Sequence, residues 1–109
     1  MDFTVIVCTY NRCQNLASCL HALARQERVG GIHWEVLVVD NNSSDDTRQT
    51  VERLGRELPI KVRYAREPQQ GLNHARNCGV ANSQGTHFTF VDDDIRVGPQ
   101  WLAAGLLQP

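Results

Sequence analysis

Short apolar runs rich in β-branched residues alternate with amphipathic helical stripes, and this alternation constrains the chain more than any other feature. Phe3 to Cys8 is a continuous apolar run of the kind a buried strand needs. Leu16, Cys19, Leu20 and Leu23 follow at i, i+3, i+4 and i+7, one stripe of an amphipathic helix. Gly30-Gly31 breaks the chain, and Trp34 to Val39 supplies a second strand, Glu35 excepted. Asn41-Asn42-Ser43-Ser44 is a turn cluster able to cap a helix whose first turn would hold Asp45 and Asp46, where the dipole favours negative charge. Val51, Leu54 and Leu58 mark that helix's inner side, and Pro59 ends it. Ile60 to Tyr64 predicts a third strand, shorter and more polar. After the Gln69-Gln70-Gly71 loop, a helix is expected from Leu72 to Asn82 with Leu72, Ala75, Gly79 and Val80 inward. Phe88 to Val91 is the fourth strand and runs directly into Asp92-Asp93-Asp94.

Such alternation predicts an α/β domain with a mostly parallel sheet, flanked by helices through right-handed crossovers. With 109 residues, the whole span 1–109 fits one domain. In open sheets of this kind, ligands bind beyond the carboxyl ends of the strands at a topological switch point. Three polar clusters fall at those ends: Thr9-Tyr10-Asn11-Arg12, Asp40-Asn41-Asn42 and Asp92-Asp93-Asp94. Far apart in sequence, they are expected on one edge of the sheet, and this convergence is the main argument for a site.

The chemistry of each cluster has two readings. Three adjacent carboxylates after an apolar strand repel one another, and a hard divalent cation with oxygen preference relieves that repulsion; the bland reading is an acidic loop that caps the next turn. Asp40 can accept from a ribose hydroxyl or a base NH, or can serve an Asx-turn. In the first cluster, backbone NH groups can meet phosphate, Tyr10 can stack on a base and Arg12 can pair with phosphate. Otherwise Asn11 is a helix cap, Tyr10 packs at a rim and Arg12 is a solvated charge. Gly71 allows positive φ, Ala75 and Gly79 allow close helix-sheet packing, and Asn73, Arg76 and Asn77 can reach the site; otherwise Arg76 is a surface charge. His74 is expected on the surface, and Trp34 and Trp101 in the core or at its edge.

Net charge is −1, so no strong field points to nucleic acid. The four cysteines, Cys8, Cys13, Cys19 and Cys78, show no CxxC spacing, so zinc is not expected; Cys8 and Cys19 read as small hydrophobes. No apolar stretch approaches the roughly 18 residues of a membrane span. Free thiols and no signal peptide predict a cytoplasmic setting, with peripheral attachment to a membrane left open. The chain stops at Pro109 after the apolar segment Trp101-Leu102 to Leu106-Leu107, so its C-terminus reads as truncated.

Taken together these segments resemble the N-terminal, nucleotide-sugar-binding part of GT-A fold, family 2 glycosyltransferases, from Val5 to about Leu107. The resemblance rests on four pieces in order. They are Val5-Ile6-Val7-Cys8-Thr9-Tyr10-Asn11-Arg12, Glu35 to Thr47 with its strand-ending Asp40, Gly71-Leu72-Asn73-His74-Ala75-Arg76-Asn77-Cys78-Gly79, and Phe88 to Asp94 with its DxD. It implies a GT-A (Rossmann-like) fold and transfer of a sugar from a nucleoside-diphosphate donor, UDP-sugar favoured, to a hydroxyl of a carbohydrate or lipid-linked acceptor with inversion. It also implies that Thr9 and Tyr10 contact the base, that Asp40 binds base or ribose, and that Asp92 and Asp93 face ribose and diphosphate. Asn11, Arg12, Arg76 and Asn77 are expected to complete the nucleotide-sugar site. Asp94, with Asp92, would ligate Mn²⁺ or Mg²⁺ bridging the diphosphate. Asn41 departs from the family, standing where many members have a second Asp, and no segment matches the half that carries the general base and acceptor site.

Three other readings bear on the same residues. A receiver-type domain needs an acidic pair after the first strand, and Cys8-Thr9-Tyr10-Asn11 offers none. A Rossmann oxidoreductase needs GxGxxG there, which is absent. A nucleotide-binding fragment without catalytic activity stays open.

Overall fold

The structure, a computed structural model, describes residues 1–106, the last of them in backbone only. The expected apolar segment and family resemblance therefore extend, at Leu107, outside the described residues.

Four strands and four helices follow one another: β1 Phe3–Thr9, α1 Cys13–Leu23, β2 Trp34–Asp40, α2 Thr47–Glu57, β3 Val62–Arg66, α3 Leu72–Asn82, β4 His87–Asp92 and α4 Trp101–Leu106. All strand pairs are parallel, in the order β3-β2-β1-β4. The chain therefore builds outward from β1 through β2 to β3, then returns across the sheet to place β4 on the other side of β1. This reversal is a switch point, and it sits between β1 and β4, where Cys8 pairs with Asp92.

Parity along the strands sorts the side chains into two layers. Val5, Val7, Val36, Val38 and Val91 pack with Leu16, Cys19, Leu20 and Leu23 of α1 and with Val51 and Leu54 of α2. Ile6, Leu37 and Val39 face the other way, against Ala75 of α3. On that side Gly79 lets the helix close onto the sheet, since a Cβ there would lie 2.6 Å from Ile6 Cγ2.

All four members of the predicted α1 stripe are buried. Three expectations need correction. β3 is displaced toward the C-terminus, because pairing begins with Val62 opposite Val36 and runs to Arg66 opposite Asp40. In α3 only Ala75 and Gly79 are buried, while Leu72 and Val80 are exposed, because no second layer covers the β4 side of that helix. The first turn of α2 holds no acidic residue: the helix starts at Thr47, and Asp46 occupies the N-cap without a side-chain hydrogen bond.

Glu35 breaks the apolar run of β2 yet is fully buried. It accepts hydrogen bonds from Arg63 Nε at 2.6 Å and Thr4 Oγ1 at 2.7 Å, and Gly85 N in turn donates to Thr4 Oγ1. Burial opposes its ionisation, but the Arg63 guanidinium and these hydrogen bonds outweigh that and hold the carboxyl below its ordinary pKa. The network ties β1, β2, β3 and the α3–β4 loop together at the end of the sheet away from the polar clusters.

Candidate functional site

A cleft of about 460 Å³ opens at the carboxyl ends of the strands. Thr9, Tyr10 and Arg12 line it from the β1–α1 loop, Asp92, Asp93 and Asp94 from the end of β4, and Cys8, Asn41, Leu72 and Ala75 complete its wall. The two outer clusters of the sequence thus meet across the switch point, as strand order requires.

Alternation continues through the acidic run and divides it. Asp93 follows Val91 inward and is 6 % exposed. Its carboxylate accepts from Thr9 Oγ1 at 2.9 Å and Arg12 Nη1 at 3.3 Å, joining β4 to the β1–α1 loop. Asp92 and Asp94 are exposed, and among the described residues neither side chain accepts a hydrogen bond. Cys19 of α1 supports the run from below, its thiol donating to the Asp92 carbonyl at 3.8 Å. Tyr10 stands 48 % exposed at the mouth of the cleft, a ring free to stack.

Asp40 lies deeper than a contact residue would. It is 1 % exposed, with Oδ1 accepting from Ser43 N at 2.9 Å and Oδ2 from the Tyr64 hydroxyl at 2.6 Å. Burial and this hydrogen bond push the Tyr64 hydroxyl up to about 12. The neighbouring Asn41 reaches the cleft instead. Its Nδ2 donates to the carbonyls of Glu67 and Gln69, and its Oδ1 accepts from Gly71 N, so one amide fastens the β3–α3 loop. Gly71 has φ +137°, a conformation that favours glycine.

Asn11 does not cap its own helix. Its side-chain oxygen accepts from Ser44 N at 2.8 Å and Asp45 N at 3.3 Å, and Asp45 accepts from Cys13 N at 3.2 Å. Each loop thus caps the other. Asp45 sits below its ordinary pKa: burial raises it, and the hydrogen bonds from Thr47 and Cys13 more than offset that. The backbone NH of Asn11, one of those able to meet phosphate, already donates to Ser43 Oγ, and that of Cys13 donates to Asp45. Arg76 lies with its guanidinium carbon 5.5 Å from the Phe90 ring centroid, and Asn77 is exposed on α3; neither lines the cleft. Cys8 does line it, and burial raises its thiol pKa to about 11. Cys8 and Tyr64 carry no site signal in the sequence, and Asn41 carries one only through its strand-ending cluster with Asp40 and its place where many family members have a second Asp.

Among the described residues no three His, Cys, Asp or Glu side chains converge into a closed metal cage. Two exposed, unpartnered carboxylates suit a different arrangement, since Mg²⁺ and similar hard cations take one or two carboxylates together with substrate phosphates. The donor set at Asp92 and Asp94 fits such an ion.

A parallel sheet with this strand order and a polar cleft at its switch point defines a GT-A-type, Rossmann-like α/β domain. The model of the family described as Glycosyl transferase family 2 matches residues 4–106, and the chain belongs to that family. It is 38 % identical over 96 residues to the succinoglycan biosynthesis protein ExoM of Rhizobium meliloti, covering 88 % of this chain and 31 % of the relative. Against the glycosyltransferase AglE of Haloferax volcanii it is 34 % identical, covering 94 % of this chain and 34 % of that protein. The structure of S. aureus TarS in complex with UDP-GlcNAc superposes with a TM-score of 0.81 at 30 % identity, over 97 % of this chain and 30 % of that one. The mannosyltransferase PcManGT of Pyrobaculum calidifontis, in complex with GDP-Man and Mn²⁺, gives a TM-score of 0.76 at 30 % identity, over 84 % and 27 %. The chain thus spans about a third of the length of these relatives. Among the described residues no helix is long and apolar enough to cross a membrane.

Proposed function

We propose that this chain holds the nucleoside-diphosphate part of a sugar donor, UDP-sugar favoured, within a glycosyltransferase that transfers the sugar to an acceptor hydroxyl with inversion. One observation carries the reading: Thr9, Tyr10, Arg12 and the Asp92–Asp94 run line a single cleft at the switch point. The UDP-GlcNAc and GDP-Man complexes of the two structural relatives support a nucleotide-sugar ligand, and carbohydrate or lipid-linked acceptors fit the family.

In this reading Tyr10 stacks on the base and Thr9 closes the pocket beneath it. Arg12, half free of Asp93, turns toward the diphosphate. Asp93 keeps the β1–α1 loop against β4 so that these groups stay in place. Asp40 meets the nucleoside only by giving up Tyr64, or else acts through the turn it holds. Arg76 and Asn77 reach the donor only by movement of α3 side chains. Asp94, with Asp92, would hold Mn²⁺ or Mg²⁺; such an ion, when bound, supplies positive charge that stabilises the departing nucleoside diphosphate. Inversion follows from direct displacement by an acceptor hydroxyl once a general base has taken its proton.

A second reading is favoured by a specific observation: the cleft's carboxylates are Asp92, Asp93 and Asp94, of which Asp93 is committed to Thr9 and Arg12. With Asp92 and Asp94 given to the cation, none is left over to act as general base, so in this reading these 109 residues bind donor and the chemistry needs further groups. Calorimetry with UDP, in Mn²⁺ and in EDTA, tests the shared core. Tighter binding in Mn²⁺ is expected. Equal affinity in both would remove the metal from the reading, and no binding in either would remove the nucleotide. Release of free sugar or transfer to an acceptor by the isolated chain would overturn the second reading.

A further inference from the structure

A second groove, sharing no residue with the cleft, lies on the α1 face. Ser18 and His21 line it from α1 and Arg25 from just beyond that helix's end, and Arg96, Val97 and Pro99 line it from the segment that leaves β4. Its volume is about 620 Å³, larger than the cleft. The walls are held at fixed spacing. Gln26 Nε2 donates to the Gly98 carbonyl at 2.8 Å, Leu102 N donates to Gln26 Oε1 at 2.8 Å, and Glu27 N donates to the Pro99 carbonyl at 2.6 Å.

The charge of this groove is one-sided. Two guanidinium groups, an imidazole and a hydroxyl line it, and no carboxylate does. Arg25 and Arg96, like several other arginines of the chain, are in no ion pair among the described residues, but these two share one groove. Arg96 Nη1 donates to the Asp93 and Ile95 carbonyls at 3.4 Å each, which aims the side chain and leaves most of its donors unused. The chain as a whole carries −1, so the local excess of positive charge does not reflect its bulk composition. The helix C-terminus accounts for attraction of one cation, but not for a second wall that brings another.

From this arrangement we infer that the groove between α1 and the Arg96–Pro99 segment binds the phosphate of an organic phosphate ester. Two guanidinium forks facing one space match the oxygens of a phosphate monoester or diester, and Ser18 adds a hydroxyl donor. The volume exceeds a lone phosphate and leaves room for the organic group attached to it. The inference does not depend on the donor cleft, since no wall is shared.

Amide chemical shifts of the labelled chain, titrated with glycerol 3-phosphate in the presence of saturating UDP and Mn²⁺, provide the test. Saturable shifts at Ser18–Gln26 and Arg96–Leu102 are expected, weakened at least about tenfold by Arg25→Ser with Arg96→Ser. Arg25→Gln alone, with a smaller loss, serves if the double variant does not keep its spectrum. Co-sedimentation with phosphatidylglycerol vesicles, against phosphatidylcholine, then identifies the source. Sedimentation that glycerol 3-phosphate competes away assigns a lipid headgroup, and none assigns a soluble ester. Shifts confined to the Thr9–Arg12 and Asp92–Asp94 cleft, no saturation, or an undiminished response in the arginine variants would overturn the proposal.

Discussion

Asn41 uses both halves of its amide, and a carboxylate in its place would not. Two carbonyls, of Glu67 and Gln69, take its Nδ2 hydrogens, while Oδ1 takes the Gly71 NH. Asn41→Asp keeps the last contact and turns an oxygen toward two part-buried carbonyls, repelling them and losing two hydrogen bonds at about 1–3 kcal/mol. Urea unfolding should show a loss of that size, and UDP affinity should fall with it because Asn41 lines the cleft and the loop it latches leads into Leu72 of the cleft wall. Asp94→Asn is expected to act differently. Its side chain is exposed and, among the described residues, without protein partners, so stability should hold while the Mn²⁺-over-EDTA gain in UDP affinity, measured by calorimetry, disappears. A variant that keeps the full metal gain would move the ion away from Asp94. Both effects are expected only of the proposed site. The difference between these neighbours of similar chemistry was not legible in the sequence. Asp40-Asn41-Asn42 shows a strand-ending turn, but which member is buried by Tyr64 and which reaches the cleft depends on the β2–β3 register.

At the scale of elements, helices with a partner layer along their whole inner face were legible and the others were not. The α1 stripe is buried as its periodicity requires, and α3 keeps its predicted ends, but half of its expected inner residues face solvent because they look past the edge of β1. Gly79 marks where α3 does touch the sheet. Gly79→Ala places a methyl group 2.6 Å from Ile6 Cγ2. Such overpacking costs about 1–3 kcal/mol, to be read as a lower urea midpoint with unchanged slope. Glu35 and Arg63 were legible only as an exception in a strand. The folded-state pKa of Glu35 lies below its ordinary 4.5, so its ionised form contributes stability above pH 4.5. That contribution is lost as pH falls below 4.5 toward the folded value. Glu35→Gln should flatten this part of the acid limb of the stability curve, compared by slope rather than level, since an unpaired Arg63 destabilises the variant at every pH. An acid limb of unchanged steepness would place the titration elsewhere.

For the molecule as a whole, the asymmetry between the two sides of the sheet matters most. Among the described residues one layer is closed by α1 and α2, and the other is covered by α3 over β1, β2 and part of β3, with β4 left open. Beyond α3, β4 is the edge strand and presents Phe88 at 46 % and Phe90 at 36 % exposure, their rings edge to face at 5.8 Å, with Val80 and Leu72 exposed on α3 nearby. An open edge beside an apolar face is a template for another strand. Residues 87–91 read His-Phe-Thr-Phe-Val, so antiparallel pairing of two copies about Thr89 would set Phe88 of each against Phe90 of the other. The only charge on the strand, Asp92, would fall at its end. Sedimentation velocity across a concentration series should therefore show reversible self-association of the isolated chain. Phe88→Lys should shift it to monomer, because a charge on that face would have to be desolvated on pairing. UDP binding should survive the substitution, since Phe88 lies at the opposite end of β4 from Asp92 and does not line the cleft. Association that Phe88→Lys leaves intact would assign it to another surface, and a monomer at every concentration would mean that Arg76, lying over Phe90, already screens the face.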